Sequence, residues 1–480
     1  VFYINDAEHP YTTPPGKPFV WVRKRVVGGK ILHWGRNARR LSDLDFRAAD
    51  HDGYGENWPI RYADLAPYYD KVENFIGVSG TIENIPHMPD AKGYLPPMPL
   101  NCGERILQKV VAKQGMRLVI SRQAMRTKSI HGLGQCHYCG GCGRGCAVGG
   151  HWNSISDTLP AAMKTGRMTL RPNSVVREVL VDENGKARGV AFVDRLTKKD
   201  YEVRSRAVVL GASALESTRI MLNSISRIWP HGIANSSGAL GHYLMDNFGY
   251  ERPITAFLPS LKGSTITNED GKSTGSFIVQ YRNITDRHPK FIRSYIHETW
   301  SGARQYPGFA SGLRGFGLKY KKEVRRDYPA IIGFGHTFLG EMLARWENYV
   351  EINKDVKDAW GVPVLNMDCQ HSDNEREMAK DALENVKSLV HAVGGEIASI
   401  GYKLRPPGSM IHEMGTCRMS DDPKKGVLNK FNQTHDISNL FVVDGSSFVT
   451  SGAYAPTLTI GALAARASDY LVEEYKRGKL

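Results

Sequence analysis

Ala207-Val208-Val209-Leu210-Gly211-Ala212-Ser213, with a helical pattern from Leu215, decides the fold class of this 480-residue chain. The apolar residues run unbroken into a Gly-containing turn at the start of a helix. A strand without alternation reads as buried on both faces, and such a turn at its end is where an α/β sheet places a cofactor. Phe441-Val442-Val443-Asp444-Gly445 repeats the pattern with an acidic turn. Thr457–Tyr475 then reads as a helix, with apolar residues at Leu458, Ala462, Ala465 and Leu471. Working outward, Met168–Leu170, Val175–Asp182, Ala187–Asp194 and Tyr201–Val203 are short alternating runs, and Asn184-Gly185 is a hairpin turn between two of them. Together they predict a β-meander. Tyr62–Gly77 has helical spacing, whereas residues 87–101 carry Pro89, Pro96, Pro97 and Pro99 and read as irregular. From Tyr250 to about Ile397 the character changes to more strands, many aromatics and a helix over 374–393. The expected architecture is therefore α/β with mixed α+β character. A discontinuous cofactor domain, 1–249 and 398–480, accepts a substrate-facing domain at 250–397 built on an antiparallel sheet with helices.

Composition narrows the function classes. Hydrophobic residues make up 41%, with 49 Gly, which excludes disorder, collagen and coiled coil for the whole chain. No run reaches the roughly 18 apolar residues of a membrane span. The net charge is +14, but the basic residues are scattered, so a nucleic-acid partner is not expected. A solvated basic surface and an acidic partner subunit both fit the charge. The chain starts at Val1 and reads as the interior of a longer product, with localisation signals expected outside it.

Three separated segments carry the chemistry. They are Gly28-Gly29 with His33-Trp34-Gly35, then His412-Glu413-Met414-Gly415-Thr416-Cys417-Arg418-Met419, then Asp444-Gly445-Ser446 with Pro456-Thr457-Leu458-Thr459. Their order and spacing resemble the glucose–methanol–choline (GMC) flavoprotein oxidoreductases over nearly the whole chain. The likeness is to the branch of sugar and glycoside dehydrogenases, and in places to the pyranose oxidases. The resemblance implies FAD and a proton-abstracting His412, since imidazole is the side chain whose pKa lies nearest neutrality. It also implies cofactor contacts at Gly28, Gly29, His33, Trp34, Val176, Gly211, Ala212, Asp444, Gly445, Ala455, Pro456 and Thr457. His33 stands where pyranose oxidases bond the flavin covalently; a dissociable FAD is the alternative. Ala455 replaces the His or Asn that usually completes the catalytic pair, and adjacent Tyr454 is the candidate substitute. The family's opening Gly-x-Gly-x-x-Gly is absent from the chain and expected upstream of it.

Cys136, Cys139, Cys142 and Cys146 fall within eleven positions as C-x2-C-x2-C-x3-C, with Ala147 where ferredoxins place Pro. This is the spacing of iron–sulfur ligands, either [3Fe–4S] or [4Fe–4S]. Disulfides come second and zinc third. The resemblance to fructose- and glucose-dehydrogenase large subunits favours iron. It further implies a sugar or glycoside substrate oxidised at a secondary hydroxyl, C3 being preferred. A small accessory subunit, a cytochrome c or quinone acceptor, and a periplasmic rather than cytoplasmic setting are implied too. An oxygen-using oxidase and a non-catalytic subunit of the same fold are the rival readings.

Overall fold

In the computed structural model the strands are, in chain order, β1 (Leu118–Ile120), β2 (Ser174–Val181), β3 (Ala187–Asp194), β4 (Asp200–Arg204), β5 (Val208–Leu210), β6 (Asn247–Phe248) and β7 (Ile254–Phe257). They continue as β8 (Ser276–Ile278), β9 (Tyr295–Ala303), β10 (Ile332–Glu341), β11 (Tyr349–Lys357), β12 (Pro363–Asp368), β13 (Glu396–Ser399) and β14 (Leu440–Val442). The structure describes residues 3–139, 141–142, 145–261, 275–303, 313–327 and 332–480; Gly140, Gly143 and Arg144 of the cysteine run lie outside them.

β5 and β14 pair in parallel, Leu210 opposite Val442, so the Gly211 and Asp444 turns leave the same edge of one sheet. Val208 and Leu210 are buried as expected. Val209 is not: it is 49% exposed, because it points away from the core on a pair with no cover over that side among the described residues. The meander forms as β2-β3-β4, its first turn closed by Asp182, which accepts from the amides of Asn184 and Lys186. Met168–Leu170 is the exception. It stays irregular and largely exposed, since no neighbouring strand is there to take its backbone hydrogen bonds.

The second unit is a seven-stranded antiparallel sheet in the order β1-β8-β9-β10-β7-β13, with β6 also pairing β10. It draws β1 and β6 from before residue 250. Directly paired residues share a face. The register sets Phe277, Glu298 and Thr337 in one row and Asn247 opposite Glu341 in another row of that same face. Tyr295, His297 and His336 point the other way, where the helix Asp373–Ala392 covers them. That helix starts at Ser372, whose capping box with Glu375 satisfies its first amides. The helix Tyr62–Ile76 ends at Gly77 and packs on Thr457–Lys476. No helix among the described residues is long and apolar enough to cross a membrane.

Candidate active site

The loop before Trp34 is shaped by Gly28, at φ 93°, where a Cβ would come within 2.8 Å of Leu32 and 2.9 Å of Ile155. A 3-10 turn, Gly29–His33, follows. Its Lys30 forms an ion pair with Glu413, so the loop and the His412 segment are drawn together across the molecule. His33 sits half-buried with its ring 5.4 Å from Tyr3. Burial, and then the charges of Lys24, Lys30 and Arg36, push its pKa down to about 4. Beyond the loop, the buried Arg40 donates to both carboxylate oxygens of Glu73, at 3.2 and 3.1 Å, and ties the segment to the helix Tyr62–Ile76. Removing one partner of such a pair costs about 3–5 kcal/mol, because a buried charge is left uncompensated.

His412 is held by two neighbours on the sheet. Its backbone amide donates to Asp246 Oδ1 at 2.9 Å, and its Nδ1 lies 2.9 Å from Asn247 Oδ1. Asn247 cannot flip, because its Nδ2 already donates to the carbonyls of Gly340 (3.2 Å) and Gly452 (2.8 Å). Its oxygen therefore accepts from His412 Nδ1–H, and the basic lone pair of the neutral ring is on Nε2. Burial, with Lys30 and Arg39 nearby, pushes the His412 pKa down to about 3. The imidazole is therefore neutral at any ordinary pH, with its Nε2 lone pair unprotonated. Asp246 moves the opposite way, up to about 7, through burial and the adjacent Glu413 carboxylate.

The remaining expected residues gather less evenly. Ser217 Oγ links the two strand-end turns, donating to Asp444 Oδ2 and accepting from the Ala212 amide at 3.0 Å. Asp444 Oδ1 takes Ser446 N (3.0 Å) and Oγ (2.6 Å), so its carboxylate anchors the turns to each other. Gly211 and Gly445 flank this knot. Ala455 and Pro456 precede the helix that begins at Thr457. Tyr454 is fully buried, edge-on to Phe277 at 6.3 Å, and its phenol pKa is raised by burial. Val176 lies on β2 opposite Phe192, away from His412 in the meander. Sequence reasoning did not find Asn247, Asp246 or Lys30. The only signal was their occurrence as polar residues in otherwise apolar or Gly-rich stretches, Leu244-Met245-Asp246-Asn247-Phe248 and Gly28-Gly29-Lys30-Ile31-Leu32.

Two GMC oxidoreductase family profiles match this chain, the N-terminal one over residues 51–246 and the C-terminal one over 344–464. A 2-methyl-1,2-propanediol dehydrogenase from Mycolicibacterium austroafricanum is 30% identical over 94% of this chain and 81% of its own. The chain belongs to the GMC oxidoreductases. The large subunit of fructose dehydrogenase from Gluconobacter japonicus is 28% identical over 94% of this GMC oxidoreductase and 81% of its own length. In fold it is similar to pyridoxine 4-oxidase from Mesorbium loti, with TM-score 0.62 and 17% identity over 96% of this chain and 87% of that one. Its relatives span sugar, glycoside and alcohol dehydrogenases and oxidases, and it is an oxidoreductase acting on CH–OH groups.

GMC oxidoreductases bind FAD, and the residues present fit it. Among the described residues, Trp34 Nε1 and Tyr454 Oη are buried without a hydrogen-bond partner, as are Asn37 Oδ1 and Arg39 Nε and Nη2. Buried polar atoms are rarely left so, and several in one region mark the lining of a ligand site. The four cysteines are a different case. None of the four is in a disulfide, and among the described residues no three Cys, His, Asp or Glu side chains converge on a metal-sized centre. The run nonetheless lies beside the Gly28–Trp34 loop. Arg36 feels the Cys142 and Cys146 sulfurs electrostatically and donates to the carbonyl of Trp34.

Proposed function

We propose that this GMC oxidoreductase is an FAD-dependent dehydrogenase of sugars or glycosides, oxidising a secondary hydroxyl, with C3 the preferred carbon. The observation that carries the reading is the locked His412 ring, whose Nδ1–H is spent on Asn247 while Nε2 is left as base. FAD, when bound, supplies the hydride acceptor; Gly28–Trp34, the turns at 211–213 and 444–446, and Ala455–Thr457 would hold it. The chain's own part is proton chemistry and orientation. His412 Nε2 takes the hydroxyl proton as the carbon is oxidised, and Asn247 Oδ1 steadies the imidazolium that results. Asp246 fixes the His412 backbone, and the Lys30–Glu413 pair keeps the flavin loop closed on it.

Electrons would leave through an iron–sulfur cluster on Cys136, Cys139, Cys142 and Cys146 to a cytochrome c or quinone, with a small accessory subunit. Four cysteines at ferredoxin spacing, none in a disulfide, are the donor set such a cluster needs, and their position beside Arg36 and the Gly28–Trp34 loop suits a relay. The naming of a relative as a large subunit supports the accessory partner.

The experiment is a substrate panel on purified full-length protein with a dye acceptor, followed by NMR of the product. A keto sugar supports the reading; turnover confined to acyclic alcohols sinks it. About three or four irons per chain are expected after anaerobic preparation. Stoichiometric hydrogen peroxide without iron would instead make it an oxidase. Acid precipitation should release free FAD, since a bond to His33 would leave the pellet yellow.

A further inference from the structure

The sheet face that carries Asn247 continues well past His412, and the chemistry above does not use the rest of it. Glu298, on β9, lies on that face with its side chain 28% exposed. Its Oε1 accepts from both Asn37 Nδ2 (3.0 Å) and Arg39 Nη1 (2.8 Å), and Oε2 takes no hydrogen bond among the described residues. Arg39 is 1% exposed and stacked 4.0 Å from the Phe277 ring centre, so the carboxylate is pinned from behind by a cation with no freedom to leave. Two residues on, about 7 Å along the strand, Trp300 shares the face and is 41% exposed. Its indole lies over Gly335, its cross-strand partner, where a Cβ would come within 2.3 Å of Cε2 and Cζ2. The missing side chain is what lets the ring settle across β10. Thr255 flanks Gly335 on the other side, its hydroxyl bonded to Ser399.

Distance along β10 says how far this is from the chemistry. Asn247 pairs with Glu341, Glu298 with Thr337 and Trp300 with Gly335. At strand rise the carboxylate stands about 14 Å and the indole about 20 Å from the Asn247 row. One pyranose ring at His412 does not reach them. A flat apolar ring beside a hydroxyl acceptor matches the two surfaces of a sugar, its C–H face and its rim of hydroxyls. The negative charge of Glu298 disfavours an acidic sugar there.

We infer that Trp300 and Glu298 form a subsite for a distal, non-oxidised ring several units from the oxidised one, so that the preferred substrate is a neutral oligosaccharide rather than a mono- or disaccharide. The ring stacks on Trp300, and Glu298 Oε2 accepts from its hydroxyls. The inference rests on the sugar reading of the active site.

The test uses holoenzyme with glucose and cellotetraose as probes, on the native chain, Trp300→Ala, Trp300→Phe and Glu298→Gln. Trp300→Ala should raise KM for cellotetraose about 10-fold with kcat retained, and leave KM for glucose unchanged. Trp300→Phe should recover most of the loss, and Glu298→Gln should fall between. Quenching of tryptophan fluorescence by cellotetraose should vanish in Trp300→Ala. Equal effects on both sugars, or none, overturn the subsite while leaving the sugar reading intact. If neither sugar is oxidised, the sugar reading fails; the fluorescence titration then decides the subsite alone, retained quenching in Trp300→Ala counting against it.

Discussion

The two faces of the seven-stranded sheet are built from alternate residues of the same strands, yet they treat their carboxylates and aromatic rings differently. Away from His412, Tyr281 and Tyr295 share a 2.6 Å hydrogen bond, Tyr295 also bonds Asp381, and Arg282 grips that carboxylate at 2.8 and 2.9 Å. Those groups answer one another beneath the helix Asp373–Ala392. Toward His412, Glu298 is half-bonded and Trp300 exposed, while Tyr454, Asn37 and Arg39 from neighbouring segments carry buried atoms with no partner among the described residues. A carboxylate answered on both oxygens by its own protein is architecture, and one left half-answered beside an exposed ring is open to something that arrives. Substitutions on the open face should therefore cost activity, and those on the sealed face should cost stability.

The largest effect belongs to His412. His412→Ala should retain flavin absorbance and lose about 100-fold or more in kcat, the contribution of a positioned acid–base group. Near-native turnover would break the assignment. Asn247→Ala comes next, at roughly 10- to 100-fold in kcat with little change in KM, because the ring loses its tautomer lock but keeps its place. The low pKa of His412 adds a pH signature. Its neutral form persists down to about 3, so native kcat/KM should show no acid limb from this group above pH 4. In Asn247→Ala the imidazolium loses an acceptor, which lowers the pKa further, so that limb should not move toward neutrality. Ala455→Asn should change kcat by only a few-fold. The site is 6% exposed just before the helix Thr457–Lys476, and on the proposed reading a new amide there would meet the substrate oxygen or the flavin edge. A kcat unchanged within error, in a variant of native melting temperature, would place Ala455 away from the chemistry.

What the sequence made legible was local. The β5 strand and its turn, the β14 strand and its acidic turn, the meander and four of the helices follow from patterns contained in windows of about 20 residues or fewer. His412 was legible because its neighbours in sequence form a motif. Asn247, 165 residues away, was not, because only the β6–β10 pairing brings it to the imidazole. The same holds for Glu298 and its bonds to Asn37 and Arg39, which span 261 and 259 residues. Face membership depends on register, and a shift of one residue would exchange Glu298 for His297. The exposed Val209 shows the converse: an unbroken apolar run announces a strand but not how many of its faces are covered.

The sealed face makes the last prediction, and the smallest at neutral pH. His297 and His336 stand with ring centres 6.3 Å apart beneath the helix Asp373–Ala392, among Tyr281, Tyr295, Arg282 and Asp381. Burial pushes both pKa values down to about 3 from the usual 6.5. In the unfolded chain each histidine takes up a proton as pH falls below 6.5, whereas in the folded protein neither does until pH approaches 3. Stability is thus full above 6.5 and drains as pH falls, by up to about 1.4 kcal/mol per pH unit for each group. Replacing both with Gln removes the two titrations. The double variant should match or trail the native melting temperature at pH 7.5, then lose less of it between pH 6.5 and 4.5, with kcat at pH 7.5 unchanged. Other buried histidines titrate alike in both proteins, so the difference between the two curves isolates this pair. Parallel curves would mean these rings already hold protons in the fold. A fall in kcat would mean the two faces are not independent.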